Sequence, residues 1–185
     1  MSCKILVLFA HPALHRSRVN AALTRAIQEL PSITFHDLYA AYPRHLIDVD
    51  REQALLREHD LIVWQHPFYW YSCPSLLKEW QDVVLEHGFA YGDRGTALQG
   101  KRLLSALTTG GPAASYQPDG ANRYTLPQLL APFEQTARLC GMTYLDPFVI
   151  HGAPQLDDLQ LRETVARYRQ HLLDLGNGSR PMPST

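Results

Sequence analysis

The hydrophobic residues of this chain fall into short unbroken runs, and that feature decides most of what it can fold into. Residues 5 to 9 read ILVLF, and LIVW at 61 to 64, LLSAL at 103 to 107 and FVI at 148 to 150 have the same character. A strand that is apolar on both faces needs cover on both sides, which is the situation of a parallel strand inside a helix-covered sheet. Thr34 to Asp37 alternates instead, as an edge strand does.

Segments of helical period lie between these runs. Val19, Ala22, Leu23, Ala26, Ile27 and Leu30 recur at intervals of three and four. Leu76, Leu77, Trp80, Val83 and Val84 repeat the pattern, with Pro74 placed for a helix start. A third stripe runs from Leu126 through Leu129, Leu130, Phe133 and Ala137 to Cys140, and a fourth through Leu161, Val165, Tyr168, Leu172 and Leu175. Strand and helix alternate, and a parallel crossover needs a helix-length connection. The expected class is α/β: a flavodoxin-like three-layer sandwich, with five parallel strands in the order 2-1-3-4-5 and helices on both faces. In such sheets ligands bind beyond the carboxyl ends of the strands, and that rule selects the loops to inspect.

Length sets the domain count. A chain of 185 residues with 45% hydrophobic content buries one substantial core, so residues 1–175 are read as one domain. The closing GNGSRPMPST, residues 176–185, is rich in breakers and is expected to be disordered. A formal net charge of -1 provides no field for nucleic acid or an anionic membrane, so any phosphate must be held locally. Cys3, Cys73 and Cys140 are odd in number and scattered, which reads as reduced thiols rather than a disulfide framework or a zinc knuckle. No apolar run approaches the roughly 20 residues that span a bilayer, and the expected location is the cytoplasm.

Three loops carry chemistry. The first strand runs into AHPALHRSRVN at 10 to 20, where Ser17 is placed to cap the first helix. Free N–H groups and partial positive charge at a helix start, with His11, Ser17 and Arg18 around them, suit a phosphate; an ordinary capped loop is the plain alternative. His11 and His15 are spaced for a helical metal site, but Pro12 disfavours a helix there and no carboxylate is near in sequence, so no metal is expected. After LIVW come Gln65 and His66 and then Pro67, Phe68, Tyr69, Trp70 and Tyr71, a run that can lie against a flat heteroaromatic ring or fill a core or an interface. The run at 103 to 107 ends in Thr108, Thr109, Gly110 and Gly111. Paired glycines let a backbone approach a ligand closely and donate to negative charge, though Gly-Gly also makes a plain turn.

One segment is a decoy. GTALQGK at 95 to 101 resembles a phosphate-binding P-loop, but Arg102 stands where Ser or Thr would hold magnesium, and the segment precedes a strand. GxSxG and GxGxxG are both missing, which removes the main support for a serine hydrolase or a Rossmann dehydrogenase.

Taken in order, the AHP loop, DLYAAYP at 37 to 43, WQHPFYWYSCPSLLKEWQD at 64 to 82, HGFAYG at 87 to 92, ALQGK at 97 to 101 and TTGG at 108 to 111 resemble the flavodoxin-like NAD(P)H:quinone oxidoreductases. Within that family they resemble the cytoplasmic ancillary subunits of glutathione-regulated potassium-efflux systems. The resemblance implies a flavin, FMN rather than FAD, since the motifs include no evident adenosine site. It places His11, Ser17, Arg18, Val19 and Asn20 around the phosphate and ribityl chain. Pro67, Phe68, Tyr69 and Trp70 would frame one edge of the ring, and Thr108, Thr109, Gly110 and Gly111 the other. Larger reductases of the family carry a Tyr and, six residues later, a His facing the hydride acceptor; here Tyr116 fits the first place and Asn122 occupies the second.

The implied reaction is ping-pong. NAD(P)H delivers hydride to the flavin and leaves, and a quinone then takes it from the same face, with Tyr116 donating to the acceptor oxygen. The family also implies a homodimer. The rival reading is a flavin-bound regulatory subunit that activates a membrane potassium-efflux transporter and reaches the membrane through it. Efflux-type members carry Asp-Phe after the Tyr-Pro of the second loop, where this chain has Arg44 and His45.

Overall fold

A computed structural model describes residues 3–178. Six strands form one parallel sheet: β1 (Ile5–Phe9), β2 (Ile33–Asp37), β3 (Leu61–Pro67), β4 (Arg102–Thr108), β5 (Thr143–Tyr144) and β6 (Phe148–Ile150). The order is β2-β1-β3-β4-β5, with β6 also paired to β4. β5 and β6 together occupy the expected fifth place. Thr143 and Tyr144 pair with Arg102 and Leu103, while Phe148 to Ile150 pair with Ala106 to Thr108. Asp146-Pro147 interrupts the strand between them, because proline has no N–H for the ladder.

Among the described residues five α-helices lie between strands and a sixth follows the last: α1 (Arg18–Ile27), α2 (Leu38–Ala41), α3 (Val49–Glu58), α4 (Ser75–Val84), α5 (Leu126–Leu139) and α6 (Asp158–Gly176). The period of two in each strand divides the core cleanly. Ile5 and Val7 of β1, Leu61 and Val63 of β3 and Leu104 of β4 face α1 and α6, meeting Val19, Leu23, Ile27, Tyr168, Leu172 and Leu175. Leu6, Leu8, Ile62, Trp64, Leu103 and Leu107 face the other way, onto Leu56 of α3, Leu76, Leu77 and Trp80 of α4, and Leu130 and Phe133 of α5. The apolar runs are therefore unbroken because both faces of the sheet are covered.

Helices α2 and α3 lie where the sequence reading placed none. The inward face of α3 carries Glu52 and Gln53 beside Leu56, and this hides its period. Glu52 is fully buried and accepts from His36 Nε2 at 2.8 Å, Trp80 Nε1 at 2.8 Å and the Tyr42 hydroxyl. Burial raises its pKa and these donors lower it, with a net fall below the usual carboxylate value. The carboxylate thus ties β2, α3 and α4 together as a satisfied polar group. At the C-terminus α6 continues to Gly176; of the expected tail, residues 179–185 lie outside the described residues.

Candidate functional site

The carboxyl ends of β1, β3 and β4 converge on a cleft of about 640 Å³. It is lined by His11, Ser17, Arg18, Val19 and Asn20 from the first loop, Pro67, Phe68 and Tyr69 from the second, and Thr108, Thr109 and Gly110 from the third. Ala13, Arg16, Ala153 and Pro154 complete the lining.

The first wall is built on a helix start. Ser17 caps α1, its hydroxyl accepting from the Asn20 N–H at 3.3 Å. The amides of Arg18 and Val19 have no hydrogen-bond partner among the described residues, so they are free donors at the positive end of α1. Asn20 is buried. Its side-chain amide donates to Ser17 Oγ at 3.0 Å and to Thr108 Oγ1 at 3.1 Å, fastening this wall to β4, while its Oδ1 is a buried acceptor without a partner among the described residues. His11 Nδ1 accepts from the Ala13 N–H at 3.1 Å, so the neutral ring carries its proton on Nε2. Burial, partly offset by Asp37, keeps the His11 pKa below the ordinary imidazole value.

The two arginines of this wall behave differently. The Arg18 guanidinium pairs with Asp158 at 2.6 Å and donates to the Leu156 carbonyl, holding the first loop to the start of α6. Arg16 lines the cleft with no ion-pair partner among the described residues. Sequence reading named Arg18 and passed over Arg16, since nothing local shows that a residue 140 positions away occupies Arg18.

The second wall includes a strained turn. Ser72 N–H donates to the Tyr69 carbonyl at 2.9 Å, and Trp70 and Tyr71 between them have φ of 49° and 60°. Positive φ at both central residues is a type I′ arrangement, which normally carries Asn and Gly. Phe68 and Tyr69 line the cleft, whereas Trp70 is 93% exposed and is not part of the lining.

In the third wall, the Phe68 N–H donates to the Thr108 carbonyl at 2.8 Å, extending the β3–β4 ladder to the cleft floor. Gly110 and Gly111 have amides without a partner among the described residues. A Cβ on Gly110 would meet nothing within 4 Å, so the backbone is open to the cleft. Gly111 instead backs onto Ser115 and the Tyr116 ring, 3.4 and 3.6 Å from such a Cβ. Tyr116 is 7% exposed, packs on Phe68 with centroids 6.1 Å apart, and stands behind the lining. Asn122 is farther out, where it accepts from the Tyr71 hydroxyl at 3.2 Å.

Sequence reasoning missed the segment after β6. Gly152 N–H donates to the Gly111 carbonyl and Ala153 N–H to the Thr109 carbonyl, each at 2.9 Å, so His151 to Pro154 clasp the glycine turn. The signal available was position: this segment too follows a strand's carboxyl end. The decoy lysine, Lys101, sits at the opposite end of the sheet, where its ammonium donates to the Arg57 and His59 carbonyls at the C-terminal end of α3.

The residues present fit a phosphorylated aromatic cofactor: free amides at α1 for a phosphate, an orphan acceptor on Asn20 for a hydroxyl, and an open glycine turn for a ring edge.

A family model described as a flavodoxin-like fold matches residues 3–172. The glutathione-regulated potassium-efflux system ancillary protein KefG of Pectobacterium carotovorum subsp. carotovorum (strain PC1) is 50% identical over 169 residues, 91% of this chain and 92% of that protein. Three solved structures are also similar. General stress protein 14 of Treponema denticola, in complex with FMN, is 40% identical with a TM-score of 0.85, covering 95% of this chain and 98% of that one. An NADPH-quinone reductase from P. pentosaceus is 34% identical with a TM-score of 0.83, covering 90% and 96%. A structure described as a thermophilic tryptophan halogenase from Streptomycin violaceusniger is 46% identical with a TM-score of 0.89, covering 91% and 98%.

Proposed function

The chain belongs to the flavodoxin-like family, and from that membership we propose that it is an FMN-dependent oxidoreductase that passes two electrons from NAD(P)H to a quinone or similar small acceptor. One observation carries this reading: Arg18, Val19 and Gly110, whose amides have no partner among the described residues, line one cleft together with Phe68 and Tyr69, and the partnerless amide of Gly111 follows directly. A phosphate at the amides of Arg18 and Val19 and the electron-rich edge of a flat ring at those of Gly110 and Gly111 would satisfy both pairs. The FMN of the Treponema denticola relative supports the choice of cofactor, and the reductase from P. pentosaceus supports the choice of reaction. When bound, the flavin supplies the hydride chemistry. The chain's own contribution is to hold the phosphate, orient the ring and keep donors at its edge.

The test is the absorbance spectrum and extracted cofactor of the purified protein, followed by anaerobic mixing with NADH or NADPH. Flavin bleaching by the nucleotide and recovery with a quinone are expected. A protein that takes up no FMN on reconstitution sinks the reading, and release of FAD would change the cofactor.

The KefG relative favours a second role, as an ancillary subunit of a potassium-efflux transporter. No helix among the described residues is long and apolar enough to cross a membrane, so on this reading the membrane is reached through the partner. We also propose a homodimer, because Tyr69, Trp70 and Tyr71 leave aromatic surface exposed at the turn after β3. Co-purification with the transporter tests the former, and sedimentation at micromolar concentration the latter.

A further inference from the structure

Behind the glycine turn stands an imidazole that the motifs do not reveal. His151 follows β6, with its ring centroid 5.6 Å from that of Tyr116 and its Nδ1 3.4 Å from Thr109 Oγ1. The Thr109 hydroxyl gives its own proton to the Gly111 carbonyl at 2.8 Å. Across the longer contact the imidazole is therefore the donor, with its proton on Nδ1, which leaves Nε2 as a free base. Among the described residues Nε2 has no hydrogen-bond partner. The main chain on either side is locked to the turn, Ile150 accepting from Thr109 and Gly152 donating to Gly111 at 2.9 Å each. The main chain of His151 is thereby tied to the turn that carries the partnerless amides of Gly110 and Gly111.

Resting on the flavin reading above, we propose that His151 is a positioning residue for the reduction step: acting through Thr109 it holds the Thr109–Gly111 turn, and on Nε2 it takes up the proton that balances negative charge arriving there. The balance is as follows. The reduced nicotinamide loses a hydride by breaking its C–H bond and leaves as the oxidised cation, so the ring gains a hydrogen and one negative charge. A proton from solvent then forms the Nε2–H bond of His151. When a quinone takes the hydride, the negative charge leaves with it, His151 releases its proton to solvent, and the quinone oxygen takes up an equal proton from solvent.

The surroundings suit this task. The groups facing His151 are the Thr109 hydroxyl from the turn and the Tyr116 ring, at the end of the short 3-10 segment Ala113–Ser115. Burial lowers its pKa from the usual imidazole value, and no charged side chain among the described residues contributes. An imidazole with no charged neighbour changes its charge in response to what is placed across the turn. Asn122, where the resembling reductases carry histidine, cannot take a proton and is engaged by Tyr71.

The experiment counts protons. FMN binding to the wild type and to His151→Gln is measured first by flavin fluorescence quenching, and the midpoint potential of each complex is then followed between about pH 6.5 and 8, the window in which a histidine changes charge. The wild type should take up close to two protons for two electrons and His151→Gln close to one, with FMN affinity changed by less than about threefold. Equal proton counts overturn the proposal. If His151→Gln does not fold, the His151 ring resonances of the wild type replace it: their titration midpoint must rise on reduction, and an unmoved midpoint overturns the proposal. Failure of the wild type to bind FMN is a separate result, which overturns the flavin reading and this inference with it.

Discussion

Tyr71 donates its hydroxyl proton to the side-chain carbonyl of Asn122 across 3.2 Å, joining the strained turn after β3 to the loop beyond Tyr116. The contact binds two walls of the cleft at their outer rim. It also gives Asn122 a role that a histidine at that position would fill differently, since an imidazole there would compete for the same phenol.

The turn that supplies Tyr71 is held against its backbone preference. Bulky residues at positive φ cost on the order of 1–3 kcal/mol each, and Trp70, at φ 49° and 93% exposed, recovers little by packing within its own chain. Trp70→Asn should therefore stabilise the protein by about 1 kcal/mol, raising its melting temperature by roughly 2–4 °C in a chain of this size. Quinone reduction or subunit association should fall at the same time. A variant that is no more stable would show that Trp70 is not strained at this position.

The arginines of the first loop should separate on phosphate. Arg16→Ala is expected to weaken FMN binding about tenfold while leaving riboflavin binding unchanged, because only the phosphorylated ligand meets that guanidinium. Arg18→Ala should instead loosen the contact with Asp158 and Leu156, lowering thermal stability more than it discriminates between the two flavins. Isothermal titration with both ligands checks this. Equal losses for FMN and riboflavin in Arg16→Ala would remove Arg16 from the phosphate site.

Acid should destabilise the fold through His66. This imidazole is fully buried in β3 against Phe133, donates from Nδ1 to the Pro67 carbonyl at 2.9 Å, and has no partner at Nε2 among the described residues. Burial pushes its pKa down to about 4 from 6.5, against a small opposing contribution from the Pro67 hydrogen bond. The unfolded chain thus binds the proton more readily. Stability is fully present above about pH 6.5 and falls as the pH drops towards 4, by roughly 3 kcal/mol at most. His66→Gln can still donate to Pro67 and does not titrate, so urea unfolding between those pH values should be flatter in the variant. Parallel curves for the two proteins would assign the acid sensitivity elsewhere.

The strands and the three cleft loops were legible in the sequence for one physical reason: buried parallel strands leave continuous apolar runs, and ligand loops follow their carboxyl ends. What escaped is where burial is polar or partnership is distant. Glu52 and Gln53 point inward from α3 and break its apolar stripe. Arg18 looks free until Asp158 is folded onto it, and His151 looks like a residue of a plain turn until Thr109 and Tyr116 are brought beside it. Each case depends on a side chain more than 20 positions away, and periodicity carries no information at that range.

Tyr116 supplies the last prediction. Its ring is wedged between Phe68 and His151 behind Gly111, and its hydroxyl has no hydrogen-bond partner among the described residues. Removing the oxygen therefore breaks no bond within the chain, so Tyr116→Phe should fold, keep its melting temperature and bind FMN as the wild type does. If the hydroxyl donates to an acceptor oxygen during hydride transfer, its loss raises the barrier of the quinone half-reaction alone. A donor to developing charge in a closed site contributes about 2–4 kcal/mol, and less where water or a second group can replace it. Tyr116 stands behind the lining, and the amides of Gly110 and Gly111 remain in the variant, so a loss of about 2 kcal/mol or less is expected, roughly thirtyfold at most in rate. Stopped-flow measurement of each half-reaction separates the outcomes: a slower nicotinamide step would move Tyr116 to donor binding, whereas two unchanged rates would leave it a packing residue that holds Phe68 and His151 apart.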